Sequence, residues 1–448
     1  MQYRDSRDLN LSAGTRQSVS AYDTLLELVA GYHADPITPL EAALAADPEF
    51  VSGQCVRAAL GVMAAERGAE PMIRQSIAAG RALASRANDR ELRHFAAAEA
   101  WLDGDFQRGA DLYGRIAVDH PRDLLALQVA HVTDFYLGRQ RFLRDRVAQA
   151  LGQWSDRMPG YGFLLGMLAF GLEETNLFER AEDAGLRALA LNRRDTWAVH
   201  AVAHVYEMTG RVDTGIDWLE GRLEDWAPNN AFAFHNFWHL ALFRLERGDE
   251  AGALALFDGH IWARPSAVAL ELVDAASLLF RLFLRGVELG TRSASVADAW
   301  SDSAHHGYYA FNDCHALMAL LIDGRLSAAR QLVAELERRA GEDGSNAAMT
   351  RQVGLPLGRA LLAFGERRYD DVIETLLPLR LTAHEFGGSN AQRDVIDQLL
   401  GEAATRAGRA ALTRALVSER RLLRPNNSWA RLLELRLGTS SAAVVAAE

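Results

Sequence analysis

Apolar residues along the chain recur with the three- and four-residue spacing of amphipathic helices, and turn residues interrupt them at nearly regular intervals. Typical apolar segments are "TWAVHAVAHVYEM", "FAFHNFWHLALFRLER" and "FNDCHALMALLID". Each segment is followed by a glycine and then by a second helical stretch. Because glycine commonly ends a helix, the pattern predicts pairs of helices joined by tight turns.

The predicted turns recur along most of the sequence. Successive turn residues lie 34 to 43 residues apart, with Asn176 as the one non-glycine among eleven. The glycines are Gly31, Gly68, Gly104, Gly138, Gly210, Gly248, Gly286, Gly324, Gly365 and Gly408. A two-helix repeat of about this length is typical of tetratricopeptide repeats. The fold class that we predict is therefore all-α, a tetratricopeptide-like right-handed α-solenoid of about eleven helical hairpins.

The predicted organisation is a single superhelix over residues 1–448. Residues 1–140 form the amino-terminal repeats, and residues 141–425 form the central and carboxy-terminal repeats, which carry most of the polar motifs. Residues 426–448 form a tail that either caps the last repeat or frays.

Four histidines stand out on the predicted first helices of two successive repeats. His200 and His204 are four residues apart, and His235 and His239 repeat that spacing 35 residues later. Four-residue spacing places each pair on one face of its helix, which Glu207 shares with the first pair. Three interpretations stay open: packing between helices, a pocket for a small polar molecule, or a divalent metal site with these four histidines as ligands.

Later first helices carry further polar residues that do not suit a purely apolar core. The candidate catalytic residues are His200, His204, His235, His239, Glu207 and Asp313. The candidate ligand-binding residues are Trp238, Asn236, Asp274, Arg281, His315, Asn390, Arg393, Asp394 and Glu174. Ser389 and Gln392 also have the spacing of a helix capping box, which gives the segment around Asn390 a structural explanation beside the functional one.

Composition and charge narrow the range of partners. Acidic residues number 59 against 48 basic ones, a net charge of −11, and no basic stripe suggests nucleic-acid binding. Two cysteines, Cys55 and Cys314, are too few for a disulfide framework. No apolar run reaches the roughly 18 residues that would cross a membrane. We therefore expect a cytoplasmic protein without nucleic-acid or membrane partners.

Several longer segments occur in the order of a known family. They include "ETNLFERAEDAGLRALALNRRDTWAVHAVAHVYEMTGR", "HNFWHLALFRLERGDEAGALALFDGHI", "FNDCHALMAL" and "GGSNAQRDVIDQLL". With these segments the chain resembles the tetratricopeptide repeat protein 38 family over nearly its whole length. The resemblance implies an all-helical tetratricopeptide fold, and it implies no particular reaction.

The functional expectation combines these features. We expect the histidines, Glu207 and Asp313 to line one concave pocket that binds a small polar or anionic molecule. Arg281 or Arg393 would pair with its anionic group. The chemistry that suits these groups is acid–base or metal-assisted hydrolysis or elimination. The alternative is a non-catalytic scaffold for protein assembly, with a protein partner or a second copy of the chain.

Overall fold

The computed structural model describes residues 2–301 and 306–445 of the chain, and helices dominate it. Helices α1–α11 are, in chain order, Arg16–Ala30, Ile37–Ala46, Val51–Ala64, Glu70–Ala82, Asp89–Leu102, Phe106–Asp119, Leu124–Tyr136, Gln140–Leu151, Tyr161–Glu173, Phe178–Leu191 and Thr196–Met208. Helices α12–α25 are Val212–Glu220, Leu223–Trp226, Ala233–Arg247, Glu250–Leu256, Ala269–Arg285, Arg292–Trp300, Ala310–Ile322, Leu326–Ala340, Ser345–Met349, Leu355–Gly365, Tyr369–Leu379, Asn390–Arg406, Ala410–Leu423 and Ser428–Val445. None of the helices in the described ranges has the length and apolarity to cross a membrane.

Short irregular helices complete these elements. A π-helical turn, Phe257–Ile261, extends α15, and another, Thr350–Gly354, joins α20 to α21 into one longer helix. Two 3₁₀ turns, Arg67–Ala69 and Ala383–Phe386, precede α4 and α23.

The predicted turn residues all lie at or beside the connection between the two helices of a pair. Eight of the eleven have the left-handed backbone that favours glycine or asparagine, including Asn176 at φ 60° and Gly210 at φ 69°. In the turns at Gly31, Gly68 and Gly365, the residue with the left-handed backbone is instead Tyr32, Ala65 and Arg367, respectively. The all-α fold of repeated helical hairpins is therefore confirmed.

The chain folds into two compact units. The first contains residues 1–205, 222–233 and 344–346, and the second contains residues 206–221, 234–343 and 347–448. Each unit buries an interior rich in alanine and leucine, together with one cysteine: Cys55 in the first and Cys314 in the second. Burial raises the pKa of both thiols.

Two features near the ends were not predicted. Strands β1 (Gln2–Arg4) and β2 (Asn10–Ser12) form an antiparallel hairpin, which is too short to produce a clear alternating pattern. At the other end, most of the predicted tail, residues 426–448, belongs to helix α25. Residues 446–448 lie outside the described part of the chain.

Candidate functional site

Helix α11 carries the first pair of histidines. The side chain of Asp195 caps the start of this helix, where Oδ1 accepts a hydrogen bond of 3.0 Å from the backbone N–H of Ala198. His200 and His204 follow one turn apart on the same face, with ring centroids separated by 4.4 Å. Both rings are almost completely buried in the first unit. The four-residue spacing therefore produces a buried pair of imidazoles.

Two carboxylates lie beside this pair, one at the end of α9 and one at its C-cap. Nδ1 of His204 lies 3.3 Å from Oε2 of Glu173. Glu174 brings a third ligand atom, and the three atoms all lie within 4.8 Å of one another. Gln140 holds Glu174 in place by donating a hydrogen bond of 3.2 Å from Nε2. One imidazole and two carboxylates at this separation are suited to bind a divalent metal ion.

Aromatic rings pack around the first histidine pair. The His200 ring lies 5.3 Å from Phe170, 4.8 Å from Trp197 and 5.1 Å from Phe232, between ring centroids. His131 packs against the same Phe170 and Trp197 at 5.9 and 5.7 Å. Burial lowers the pKa of His131 to about 3, so this imidazole is neutral at physiological pH. The neighbours of the first pair are thus largely apolar apart from the glutamates.

Helix α14 carries the second pair, in the second unit, and each of its histidines is bonded to a carboxylate. Nδ1 of His235 lies 2.7 Å from Oδ2 of Asp274, and Nδ1 of His239 lies 2.9 Å from Oε2 of Glu207. Burial raises the pKa of Asp274, and the contact with His235 opposes that shift. Trp238 stacks on His235 with a centroid separation of 5.2 Å.

The shared use of Nδ1 has a chemical consequence. His204, His235 and His239 each place Nδ1 beside a carboxylate. A carboxylate at Nδ1 favours the tautomer with its proton on Nδ1 and its lone pair on Nε2, and it makes Nε2 more basic. This arrangement is found in histidines that bind metals and in histidines that act as general bases.

Arg281 is buried beside the second pair. Its Nη2 donates to the backbone carbonyls of Ala391 and Gln392 at 2.9 and 3.2 Å, and its guanidinium carbon lies 5.4 Å from the centre of the Trp238 ring. Burial lowers the pKa of Arg281 to about 10, while the nearby carboxylates of Asp394 and Glu207 oppose the shift. The guanidinium is therefore still charged at neutral pH.

Asp394 is the centre of a buried ionic network in the second unit. Arg420 contacts both of its carboxylate oxygens at 2.8 Å, and Arg424 lies 3.8 Å away. Glu246 joins the network through Arg424 at 3.0 Å. Burial raises the pKa of Asp394, but the surrounding arginines outweigh that effect and hold it well below its usual range.

The start of helix α23 matches the predicted capping box. The Ser389 hydroxyl accepts from the backbone N–H of Gln392, and the Gln392 side chain accepts from the backbone N–H of Ser389. Arg393 donates to the Asn390 side chain at 2.9 Å. The structural explanation of this segment is confirmed, and it places Asn390, Arg393 and Asp394 beside one cavity.

The remaining predicted residues have mainly local contacts. Asp313 accepts a hydrogen bond of 2.8 Å from the backbone N–H of Gly307, which anchors the loop before α18. Nδ1 of His315 donates to the carbonyl of Phe311 at 2.8 Å, and burial lowers the pKa of His315 to about 4. Asn236 is fully buried, and its amide has no hydrogen-bond partner among the described residues.

Cavities in the second unit differ greatly in size. Two small ones, of about 20 and 10 Å³, adjoin Glu207. A cavity this small holds about one water molecule at most, so Glu207 does not border a large ligand pocket through either of them. A third cavity, of about 470 Å³, is lined by residues of α22–α25 and by Met208.

Sequence reasoning missed several partners of the predicted residues. They are Glu173, Glu246, Arg420 and Arg424. A signal existed for Glu173, because it lies 34 residues before Glu207 and so occupies the same position in the preceding repeat. The arginines of α24 carried no such signal, since Arg occurs throughout the polar faces of this chain.

Comparisons with known proteins add little to these observations. No family model matches the chain. The crystal structure of the P58(IPK) TPR domain is similar at 12% sequence identity, over 72% of this chain and 99% of that chain, with a TM-score of 0.20. That score is too low to support a statement about this chain, so the fold assignment rests on the helical hairpins themselves. The predictions of membership in the tetratricopeptide repeat protein 38 family and of one pocket for all four histidines stay predictions.

Proposed function

We propose that the protein binds a divalent transition-metal ion in its first unit, with His204, Glu173 and Glu174 as ligands. The observation that carries the proposal is the mutual distance of their three ligand atoms, all within 4.8 Å, among fully buried side chains. His200 follows one turn earlier on the same helix face and is suited to complete the ligand set. Mixed imidazole and carboxylate ligands favour ions such as Zn²⁺, Fe²⁺ and Mn²⁺.

Electrostatics supports a cation at this place. Burying two glutamates costs several kcal/mol unless a positive charge compensates them. A divalent ion held by both carboxylates would neutralise their two negative charges. When bound, the ion would act as a Lewis acid toward a small polar or anionic substrate.

Metal content and one pair of matched variants test the proposal. We expect untagged protein to retain a transition metal close to one ion per chain, measured by inductively coupled plasma mass spectrometry. His204→Gln is expected to weaken Zn²⁺ binding at least about tenfold, measured by competition with a chromogenic chelator. His131→Gln is the control, because His131 is also buried and, like His204, packs against Phe170.

Two results would contradict a metal site. One is a content below about a tenth of an equivalent together with no saturable uptake of Zn²⁺ or Co²⁺. The other is equal Zn²⁺ affinity in the two folded variants, with folding checked by circular dichroism. The histidines would then be packing residues with carboxylate partners.

The hairpin repeat itself supports a second candidate function, a scaffold for protein interaction. Stacked helical hairpins present extended surfaces that many proteins use for binding partners. A stoichiometric partner that co-purifies equally with the wild-type protein and the His204→Gln variant would favour this role. If the partner co-purified with the wild-type protein but not with His204→Gln, a scaffold role independent of the histidine site would be contradicted.

A further inference from the structure

A fourth cavity of the second unit, of about 550 Å³, lies where three successive hairpins turn. The turns connect α16 to α17, α18 to α19 and α21 to α22, and they contribute Gly286, Gly324 and Gly365 to its lining. Pockets for small ligands usually measure about 300–1,000 Å³ and combine apolar walls with a few polar groups. This cavity therefore has the volume of a small-molecule site, and it shares no lining residue with the cavity beside Asp394.

The wall of this cavity is largely apolar and partly aromatic. Leu289, Leu321 and Phe364 line it and are buried. Phe283 and Tyr369 add two further rings. An aromatic group that entered the cavity would therefore remove apolar surface from water on both sides of the contact.

Most polar side chains of the lining are already engaged. The guanidinium carbon of Arg406 lies 4.9 Å from the centre of the Phe364 ring and 5.9 Å from that of Tyr369. Nε of Arg406 donates to Oε1 of Glu402 at 2.6 Å, so the side chain is held as a flat surface over the rings. Ser293 donates from its hydroxyl to Asp323 at 2.9 Å.

Two side chains of opposite charge remain at the cavity. Glu288 lies in the turn after α16 and Arg367 in the turn after α21, and both are exposed. Within residues 2–301 and 306–445, neither side chain forms a hydrogen bond or an ion pair. A ligand that carries both an ammonium and a carboxylate group would satisfy the two residues together, whereas a ligand with one charge would satisfy only one of them.

The backbone of Arg367 has a conformation that suits glycine better than arginine. Its φ is 62°, and the neighbouring turns at this cavity have Gly286 at φ 84° and Gly324 at φ 72°. Left-handed backbone is unfavourable for a residue with a long side chain, and such strain is concentrated at functional positions. The α21–α22 turn thus keeps an arginine at the cavity against the local backbone preference.

We propose that this cavity binds a free aromatic α-amino acid. The carboxylate of the ligand would pair with Arg367, its ammonium group would pair with Glu288, and its ring would pack against Phe283, Phe364 and Tyr369. The site shares no residue with the proposed metal ligands of the first unit, so the two proposals can fail separately.

Calorimetric titration of the full chain at pH 7 with three matched probes tests the proposal. L-phenylalanine carries both charges, phenethylamine carries only the ammonium group, and hydrocinnamate carries only the carboxylate. We expect saturable binding of L-phenylalanine at one site, at least about tenfold tighter than either of the other probes. Absence of saturable L-phenylalanine binding, or equal affinity for a probe with one charge, would overturn the proposal.

Substitution of Arg367 separates binding from folding. Arg367→Gly removes the charge and also relieves the left-handed backbone, so affinity for L-phenylalanine should fall at least about tenfold while the urea midpoint stays equal or rises. Arg264→Gln is the control, because Arg264 is an exposed arginine of the second unit that does not line the cavity. Unchanged affinity in Arg367→Gly, or an equal loss in Arg264→Gln, would reject the site.

Substitution of Glu288 tests the ammonium contact by itself. Glu288→Gln should weaken L-phenylalanine binding and leave hydrocinnamate binding equal or stronger, because only the amino acid loses an attractive charge. The preference for L-phenylalanine over hydrocinnamate should therefore shrink in this variant. An unchanged preference would show that Glu288 does not contact the ammonium group and would contradict the proposal.

Discussion

Two buried aspartates, one in each unit, experience opposite electrostatic environments. Burial raises the pKa of Asp195, in the first unit, to about 7. Asp394, in the second unit, is also strongly desolvated, yet Arg420 and Arg424 hold its pKa well below its usual range. The comparison shows that burial alone favours the neutral acid, whereas adjacent guanidinium groups preserve the carboxylate.

The same contrast separates the two histidine pairs. His200 and His204 lie among aromatic rings and glutamates, which suits a cation. His235 and His239 are bonded to Asp274 and Glu207, and His235 stacks on Trp238, over which the charged Arg281 also lies. One repeated sequence motif thus serves two electrostatic settings, which differ by the buried guanidinium of Arg281 beside the second pair.

Removing the charge of Asp394 should give the largest effect on stability. Asp394→Asn leaves the buried guanidinium groups of Arg420 and Arg424 with Glu246 as their remaining acidic contact, and we expect a loss of about 3–5 kcal/mol in the free energy of unfolding. Asp370→Asn is the control, because the pair of Asp370 with Arg409 is exposed and should contribute at most about 1 kcal/mol. Urea unfolding measures both, and equal losses would refute the importance of the buried network.

The pH dependence of stability should reveal Asp195. The raised pKa means that in the folded protein this carboxyl keeps its proton up to about pH 7, whereas in the unfolded chain it loses the proton near the ordinary aspartate pKa of 3.8. Between these values the folded state binds more protons, so its stability falls as pH rises, by up to about 1.4 kcal/mol per pH unit. Above pH 7 this contribution is fully lost.

Asp195→Asn keeps an oxygen that can cap helix α11 but removes the titration. We expect this variant to have a higher melting temperature than the wild type at pH 8 and a similar one at pH 5. Differential scanning calorimetry at both values checks the prediction. An equal gain at pH 5 and at pH 8 would show that Asp195 is already ionised in the folded protein at pH 5.

Two glutamates at equivalent repeat positions offer a sharper test of the metal site. Glu173→Gln should weaken Zn²⁺ binding about 10–100-fold, because it removes a proposed ligand that also orients His204. Glu207→Gln should leave Zn²⁺ affinity unchanged if first-unit residues alone hold the ion. Comparable losses in both variants, measured by chelator competition, would instead support the sequence prediction of one four-histidine centre.

Substitutions in the turns of two neighbouring hairpins should give the smallest changes in stability. Gly210→Ala places a side chain at φ 69° without a steric clash, since the nearest heavy atoms lie 3.7 Å away, so the backbone strain costs about 1–2 kcal/mol. Asn176→Gly, at φ 60°, should change stability by less than about 0.5 kcal/mol, since asparagine already tolerates this backbone. Urea midpoints that rank the two variants in the reverse order would contradict this account of the repeat.

The sequence predicted the repeat well because its signals are local. Turn residues such as Gly210 and Asn176 act on their own backbone, and the Ser389–Gln392 box acts over three residues, so each can be recognised without a structure. The short strands at the amino end escaped prediction because they extend over only three residues each.

The partners of the candidate residues could not be predicted in the same way. His204, on α11, pairs with Glu173 on the earlier helix α9, whereas His235, on α14, pairs with Asp274 on the later helix α16. The spacing along the sequence does not determine this choice, because it depends on how each helix is rotated about its axis. The role of Arg420 and Arg424 depends on the contact with Asp394, 26 and 30 residues earlier in the sequence.

The two cysteines give each unit its own reporter of local opening. Cys55 and Cys314 are buried and have raised pKa values, so neither thiol should react with iodoacetamide until its surroundings unfold transiently. Peptide mass spectrometry can follow the alkylation of the two sites in the same sample. Metal added to the protein would then slow labelling at Cys55 more than at Cys314, if the ion binds in the first unit and stabilises it.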